Sequence, residues 1–180
     1  MKSRPLPVRS LAPIVGTRPH TLVLGSMPGA ASLAAQQYYA HPRNAFWPIV
    51  CAILGADPRT PYTERTTLLS AHGIALWDVA AICTREASAD ATMRDVQPNA
   101  IAALLASTPT LRVVCLNGTK AATLFAKLVA PQLTAAAIRS PTIHALPSTS
   151  PAFAAMSFDA KLERWSRALT QASAPRHAPR

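Results

Sequence analysis

Residues Leu22–Trp47 read LVLGSMPGAASLAAQQYYAHPRNAFW, and this stretch decides the fold. It begins with a short apolar run that ends at Gly25, passes through a turn rich in Gly and Pro, and reaches a helical pattern at about Ala45. This order puts the turn at the carboxyl end of a strand, where ligands bind in open α/β sheets. We expect an exposed loop there, and its polar and aromatic residues are Ser26, Ser32, Gln36, Gln37, Tyr38, Tyr39, His41, Arg43 and Asn44.

The rest of the chain alternates between strand and helix patterns. Apolar runs bounded by turn residues predict strands at Thr21 to Leu24, Ile74 to Trp77, Arg112 to Leu116 and Thr142 to Leu146. Helical spacing predicts helices at Ala45 to Leu54, Glu64 to His72, Pro98 to Ala106, Thr119 to Val129 and Phe158 to about Gln171. Such alternation implies a mostly parallel sheet covered on both faces. We therefore expect a three-layer α/β/α sandwich with a central sheet of about four strands.

The chain has 180 residues, of which 49% are hydrophobic, and this fits one globular domain with a sizeable core. The net charge is +10, but six positive residues lie in a Pro-rich segment at residues 1–18 and a tail at residues 173–180. Between these segments 12 basic residues face 8 acidic ones. We expect a single domain at residues 19–172 with two disordered basic arms, and whether the arms contact nucleic acid stays open.

Three cysteines, Cys51, Cys83 and Cys115, each stand among apolar residues. This context predicts reduced thiols in the core of a cytoplasmic protein. Three separated cysteines do not provide the four clustered ligands of an iron–sulfur centre, and no zinc site is supported, so we expect no cofactor. Residues 1–10 lack the apolar segment of a signal peptide, and no apolar run reaches the roughly 18 residues of a membrane span.

Three stretches resemble the uracil-DNA glycosylase superfamily. GSMPG followed by YYAHPRNAFW is similar to its first motif, and it looks most like the hypoxanthine-DNA (deoxyinosine) glycosylase branch. GIALWDVAAICTREASAD at 73–90 and LPSTSPAFA at 146–154 agree in order and spacing, and VVCLNGTKAATLF at 113–125 also fits. The resemblance covers most of residues 20–165. It implies a strand order of 2-1-3-4, DNA with a deaminated base as the partner, and a monomer.

One position departs from part of the superfamily. The mismatch-specific uracil enzymes share the HPxNxFW pattern but carry a catalytic Asn in G-x-N-P-G, where this chain has Met27. A thioether neither orients water nor accepts a proton. The hypoxanthine branch also lacks that Asn, and the resemblance assigns the role to the Asn of HPRN, which is Asn44 here.

A DNA glycosylase flips its target nucleotide and recognises the base by stacking and by hydrogen bonds to the Watson–Crick edge. By resemblance Tyr39 stacks on the flipped base, with Met27 beside it and Tyr38 as a second wall or a core residue. Hypoxanthine presents an N1–H donor and an O6 acceptor, for which Asp78 and Asn117 are the candidate partners. From spacing alone Asp78 is a cap or turn residue, and Asn117 is a turn residue before Gly.

Hydrolysis of the N-glycosidic bond needs a positioned water and stabilisation of the departing base. Asn44 is the candidate for orienting the water, and the alternative is that it only caps the following helix. Ser26 and the backbone N–H groups of Ser26 to Gly29 are candidates to bind charge on the base or on a phosphate. The three motifs contain no Lys, so a lyase step is not indicated and we expect a monofunctional hydrolase.

The third stretch is expected to contact DNA. Ser148, Thr149 and Ser150 can donate to phosphates, and Phe153 or Met156 is apolar enough to enter the base stack. Further candidates for DNA contact in the first motif are Gly29, His41 and Arg43.

Two alternatives stay open. The preferred base is uracil or xanthine in one of them, while in the other the chain is a non-catalytic α/β nucleic-acid-binding protein that has lost its chemistry at Met27. Duplexes carrying deoxyinosine, deoxyuridine or deoxyxanthosine separate these interpretations.

Overall fold

The structure, a computed structural model, describes residues 7–86 and 92–173. In chain order its strands are β1 (Pro7–Arg9), β2 (Thr21–Gly25), β3 (Ile74–Asp78), β4 (Ala80–Thr84), β5 (Arg94–Pro98), β6 (Val113–Asn117) and β7 (Thr142–Leu146). Its α-helices are α1 (Ala30–Ala35), α2 (Phe46–Leu54), α3 (Tyr62–Ala71), α4 (Ile101–Ser107), α5 (Thr119–Leu124), α6 (Ala130–Ala135) and α7 (Phe158–Ser173). A π-helical segment, Phe125–Val129, joins α5 to α6.

Four strands pair in parallel to form the central sheet in the order β3-β2-β6-β7. This confirms the predicted 2-1-3-4 order and the four predicted strand positions. The register pairs Gly25 with Asp78, and it pairs Asn117 with Leu146. The carboxyl ends of all four strands therefore meet at one edge of the sheet, which is the geometry that the sequence motifs require.

The three layers follow from the alternation of side chains along buried strands. Leu22 and Leu24 of β2 pack with residues of α4, α5 and α6 on one face of the sheet. Val23, between them, packs on the other face with residues of α2, α3 and α7, among which Phe46 and Trp165 are fully buried. The expected α/β/α sandwich is confirmed.

Several helix predictions need correction. Helix α1 lies in the stretch that was expected to be an exposed loop, and Ser32 within it is buried. The helix predicted from Pro98 begins at Ile101 instead, because Pro98 is the last residue of β5. The helix predicted over Thr119 to Val129 becomes π-helical at Phe125 and continues through α6. Pro131 in α6 has no N–H for an ordinary i to i−4 hydrogen bond, which fits the local change.

A second, antiparallel sheet in the order β1-β4-β5 was not predicted. Strand β5 is polar and ends in Pro, and β1 lies in the Pro-rich segment, so neither carries the usual signal of a strand. Residues 7–18 were expected to be disordered, but they are ordered: β1 pairs with β4, and Ile14 forms a bridge with Leu76. Residues 1–6 and 174–180 of the predicted arms lie outside the described residues, as do residues 87–91.

The three cysteines are free and buried, as their apolar contexts predicted. Over residues 7–86 and 92–173 no helix has both the length and the apolarity to cross a bilayer.

Removal of residues 1–14 is expected to destabilise the protein relative to removal of residues 1–6 alone. The longer deletion removes the carbonyl of Leu11, which accepts from Trp77 Nε1 at 3.2 Å, and that of Ala12, which accepts from the Tyr38 hydroxyl at 3.1 Å. A buried donor without an acceptor costs about 1–3 kcal/mol, so the melting temperature should fall by about 6 °C or more. Thermal unfolding of the two truncated proteins checks this, and equal melting temperatures would contradict it.

Candidate active site

The carboxyl ends of β2, β3 and β6 and the segment between β7 and α7 surround a cavity of about 560 Å³. Small-molecule pockets occupy roughly 300–1,000 Å³, so a flipped nucleobase fits this volume. The cavity brings together twelve of the sequence-predicted site residues: Ser26, Met27, Gly29, Tyr39, His41, Asn44, Asp78, Asn117, Ser148, Thr149, Ser150 and Phe153. Arg43 does not line it, and its side chain is exposed.

A buried carboxylate forms one wall of the cavity. Asp78 ends β3 and is only 2% exposed. Its Oδ1 lies directly over Gly25, since a Cβ placed on that glycine would be 2.4 Å from this oxygen. Its Oδ2 accepts a hydrogen bond from the Ser10 hydroxyl at 3.1 Å. Gly25 is therefore required for the close approach of the two strand ends, and the carboxylate sits at the bottom of the site.

Backbone hydrogen bonds fix the loop that follows β2. Val79 N donates to Gly25 O at 2.8 Å, and Ala80 N donates to Ser26 O at 3.0 Å. Met27 in this loop is 6% exposed and belongs to the core, so it offers the cavity an apolar surface. The loop is thus held against the connection between β3 and β4.

Arg85 is a residue that sequence reasoning missed, although it lies in the second motif. It is 5% exposed and its guanidinium donates to the carbonyl of Pro28. Its Nε and Nη1 are buried without a hydrogen-bond partner among the described residues. A positive charge therefore lies behind the loop that was predicted to bind negative charge, and burial of a charge is costly unless the charge is paired and hydrogen-bonded.

The aromatic ring of Tyr39 is held from within the core. It stacks on Phe46 with ring centroids 3.9 Å apart and an interplanar angle of 24°, and the backbone of Tyr39 is left-handed with φ 56°. Its hydroxyl is buried beside the Asn117 side chain. Burial, and then the negative charge of Asp78, raise the pKa of Tyr39 and of Tyr38, so both hydroxyls stay protonated near neutral pH. Hydrogen bonding from Asn117 acts to lower the pKa of Tyr39.

The sequence left open whether Tyr38 is a core residue or a second wall of the base pocket. The structure places it in the core and also in the cavity lining. It is 3% exposed and packs in the core cluster beneath α2, and it also contributes to the cavity lining. Trp47 Nε1 donates to its carbonyl at 2.8 Å, and its own N–H donates to the Tyr62 hydroxyl at 2.9 Å. These contacts fix the backbone of the first motif just before Tyr39.

Asn44 lines the cavity and also bonds to the beginning of α2. Its Oδ1 accepts from N of Phe46, the first residue of the helix, at 3.0 Å, while Ala45 stands at the N-cap position. A carbonyl oxygen has two lone pairs, so this bond leaves one acceptor position on Oδ1. Before it, His41 Nδ1 accepts from Arg43 N at 3.1 Å, which places the proton of the neutral imidazole on Nε2.

Asn117 and Thr149 form a reciprocal pair of hydrogen bonds. Asn117 Nδ2 donates to Thr149 Oγ1, and Thr149 N donates to Asn117 Oδ1, both at 2.9 Å. Ala45 N donates to Thr149 O at 2.9 Å, so the loop after β7 is joined to the beginning of α2 as well. Thr149 is 1% exposed and its polar atoms serve this junction, in contrast to the phosphate contact expected from the sequence.

The loop after β7 is further anchored by α7. Trp165 Nε1 donates to Pro147 O at 3.0 Å, and Lys161 Nζ donates to Phe153 O at 2.8 Å. The Lys161 ammonium also lies 5.1 Å from the centroid of the Phe153 ring, and burial lowers the pKa of this lysine. Lys161 was missed because it is eight residues from its partner and outside the three motifs.

The hydroxyls of Ser148 and Ser150 shape the same loop. Ser148 Oγ accepts from Ser150 N at 3.2 Å, and Ser150 Oγ accepts from Ala152 N at 3.3 Å. Both side chains are half-buried at the rim of the cavity, where their O–H groups can donate to a ligand. Over residues 7–86 and 92–173, no group of three His, Cys, Asp or Glu residues is arranged to hold a metal ion.

Comparisons with known proteins agree with this geometry. The family model described as the uracil DNA glycosylase superfamily matches residues 13–170. A hypoxanthine DNA glycosylase of Methanosarcina barkeri is 36% identical over 109 residues, which cover 60% of this chain and 69% of the relative. A hypoxanthine DNA glycosylase of Methanosarcina acetivorans is 34% identical over 114 residues, which cover 63% of this chain and 72% of the relative.

A solved structure extends the similarity over nearly the whole fold. The solution NMR structure of a protein from Methanosarcina acetivorans, described as a candidate uracil DNA glycosylase, superposes with a TM-score of 0.78 at 28% identity. The superposition covers 94% of this chain and 100% of the other.

Replacement of Thr149 by Val is expected to destabilise the fold, because it leaves a buried hydrogen of Asn117 Nδ2 without an acceptor. Such a loss costs about 1–3 kcal/mol, or a fall in melting temperature of about 2–10 °C. Thr123→Val is the matched control, since Thr123 is exposed on α5, where its hydroxyl donates to Thr119 O. Thermal unfolding of both variants checks the prediction. An equal change in melting temperature for the two substitutions would show that the hydrogen bonds between Asn117 and Thr149 do not stabilise the fold.

Proposed function

The chain belongs to the uracil DNA glycosylase superfamily, and we propose that it removes hypoxanthine from DNA and leaves an abasic site. The observation that carries the proposal is the base-sized cavity in which a buried carboxylate, Asp78, and a side-chain amide, Asn44, lie at the ends of neighbouring elements. The names of the two Methanosarcina relatives support the choice of base.

Recognition begins with flipping of the deoxyinosine nucleotide into the cavity, at a cost of roughly a few kcal/mol. The Tyr39 ring, backed by Phe46, provides the stacking surface, and Met27 provides an apolar wall. An ionised carboxylate is only an acceptor, so Asp78 pairs with the N1–H of the base. The amide of Asn117 carries two hydrogens, of which Thr149 accepts one, and the second is the proposed donor to O6.

Hydrolysis adds water to C1′ of the sugar, and the electron pair of the C1′–N9 bond leaves with the base. Asn44 Oδ1 uses its remaining lone pair to orient the attacking water. The backbone N–H groups of Ser26, Met27 and Gly29 are the proposed donors to the developing charge of the base, assisted by the Ser26 hydroxyl and by the Arg85 charge behind the loop. The proton from water ends on the released base, which completes a hydrolysis.

We propose a monofunctional enzyme that acts as a monomer in the cytoplasm. A lyase step needs an amine that attacks C1′, and the described residues that line the cavity include no Lys. Lys161 lies near the loop but donates to Phe153 O. Three buried free thiols fit a reducing compartment.

DNA is held, in this proposal, by the rim of the cavity and by the positive charge of the chain. Gly29, Ser148 and Ser150 contact phosphates, and the exposed Arg43 and the half-buried His41 flank them. Phe153 is the proposed wedge in the vacated base stack, because it lines the cavity whereas Met156 does not. The net charge of +10 favours association with the phosphate backbone.

The test of this function is a strand-cleavage assay on duplexes that carry deoxyinosine, deoxyuridine or deoxyxanthosine, followed by alkali to cut abasic sites. We expect cutting of the deoxyinosine duplex only after alkali. Cutting without alkali would contradict the monofunctional reaction. Preferred cutting at deoxyuridine or deoxyxanthosine would reassign the base, and no cutting of any duplex would favour the non-catalytic interpretation.

Replacement of Asn44 by Ala is expected to lower single-turnover excision by roughly 10² to 10³, the range for loss of one preorganised polar group. DNA binding should survive, because the phosphate contacts lie elsewhere. Asn44→Ser is the matched variant, since Ser also accepts at the beginning of a helix but its oxygen lies further from the water. Full excision by Asn44→Ser with an unchanged melting temperature would restrict Asn44 to its bond with the beginning of α2.

Replacement of Asp78 by Asn is expected to weaken excision of hypoxanthine, because an amide exchanges one acceptor oxygen for a donor that opposes N1–H. Single-turnover rates on the deoxyinosine duplex measure the effect. A change of less than about twofold, or roughly 0.4 kcal/mol, would show that Asp78 does not recognise the base.

A further inference from the structure

The amino-terminal segment passes the carboxyl end of β3 and is anchored at two places, before and after Ser10. On one side β1 pairs with β4, and Ser10 N donates to Ala81 O at 2.8 Å. On the other side Ile14 and Leu76 exchange two backbone hydrogen bonds of 2.9 Å. Between these anchors the segment lies beside the end of β3, where Asp78 is found.

From these contacts we infer that Ser10 is a positioning residue for base recognition, which holds the Asp78 carboxylate so that it accepts from the N–H of a flipped base. The inference rests on the proposed function and deepens it. Ser10 Oγ donates to Asp78 Oδ2 at 3.1 Å, a shorter distance than the 3.4 Å to its alternative acceptor Leu11 O, while Oδ1 of Asp78 lies over Gly25. The hydrogen bond to one oxygen fixes the rotation of the carboxyl group and thereby the direction of the other.

The hydrogen bond also favours the form of Asp78 that recognition needs. A hydroxyl that donates to a carboxylate stabilises the ionised, acceptor-only state, which matters here because Asp78 is 2% exposed. A protonated carboxyl would present a donor to the base and would suit adenine, whose N1 is an acceptor. Ser10 therefore contributes to the selection of bases that carry N–H beside C=O, such as hypoxanthine and uracil.

The segment is preorganised for this task by two further contacts. Leu11 O accepts from Trp77 Nε1, and Ala12 O accepts from the Tyr38 hydroxyl. Ser10 lies before residue 13, where the match to the superfamily model begins. Asp78 lies within the matched residues 13–170, so the contact joins the matched region to a residue that precedes it.

Single-turnover excision of hypoxanthine from a deoxyinosine duplex tests the inference with four proteins: the parent chain, Ser10→Ala, Asp78→Asn and the double variant. Ser10→Ala should lower the rate about tenfold, as expected when a hydrogen bond to a charged group is lost. The double variant should be no slower than Asp78→Asn, because Ser10 acts through Asp78. Ser10→Thr, which keeps the hydroxyl, should restore most of the rate. Ser107→Ala removes an exposed hydroxyl of α4 and is the matched control.

A second readout does not depend on catalysis. In Ser10→Ala the ionised form of Asp78 loses a hydrogen-bond donor and becomes less stable, so the pKa of Asp78 should rise. The midpoint of an NMR titration of the Asp78 carboxyl carbon should therefore move upward by about one pH unit. Tyr38 and Tyr39, the titratable groups that the charge of Asp78 is found to affect, stay protonated across this range. The acidic limb of the excision profile should shift in the same direction.

These measurements separate failure of the inference from failure of the proposed function. If the parent protein excises hypoxanthine but Ser10→Ala matches it in rate and in the Asp78 titration, the inference is overturned and the function stands. Additive effects of the two substitutions, or no rescue by Ser10→Thr, would also overturn it. If the parent protein excises no base, the proposed function fails. In that case an unchanged Asp78 titration midpoint in Ser10→Ala would also show that Ser10 does not position the carboxylate.

Discussion

The reciprocal hydrogen bonds between Asn117 and Thr149 hold the site together. Asn117 ends a strand of the central sheet, and Thr149 lies in the loop after the next strand. The third bond, from Ala45 N to Thr149 O, ties this junction to the beginning of α2, next to Asn44. One buried pair of polar side chains therefore sets the distance between three segments that are far apart in the chain, and a satisfied buried network of this kind specifies a single arrangement.

The same edge of the sheet carries a carboxylate whose burial costs free energy on folding. Asp78 is buried, and a buried charge requires hydrogen-bond donors around it. Ser10 provides one of them, and Gly25 provides the space. Arg85 places a buried positive charge behind the adjacent loop. Polar groups held at this cost are a common property of functional sites, and here they surround a cavity that fits a base.

The parallel sheet followed from four short apolar runs, because strands buried on both faces leave a strong signal in sequence. The order of the turns after those runs placed Ser26, Asp78 and Asn117 at one edge of the sheet, whereas the site roles of the motif residues came from the resemblance to the superfamily. The contact of Ser10 with Asp78 was out of reach, since it spans 68 residues and arises from a Pro-rich segment that looked disordered. Lys161 and Arg85 were missed for a related reason: each bonds a backbone carbonyl, which has no side-chain pattern to reveal it.

The central claim is that Asp78 recognises the flipped base within the cavity. The most direct measurement is a crystal structure of the Asn44→Ala variant bound to a duplex that contains deoxyinosine. The account predicts hypoxanthine in the cavity, stacked on Tyr39, with its N1 at a hydrogen-bond distance of about 3 Å from a carboxylate oxygen of Asp78. A base that stays stacked in the duplex, or that enters the cavity without a bond between N1 and Asp78, would contradict it.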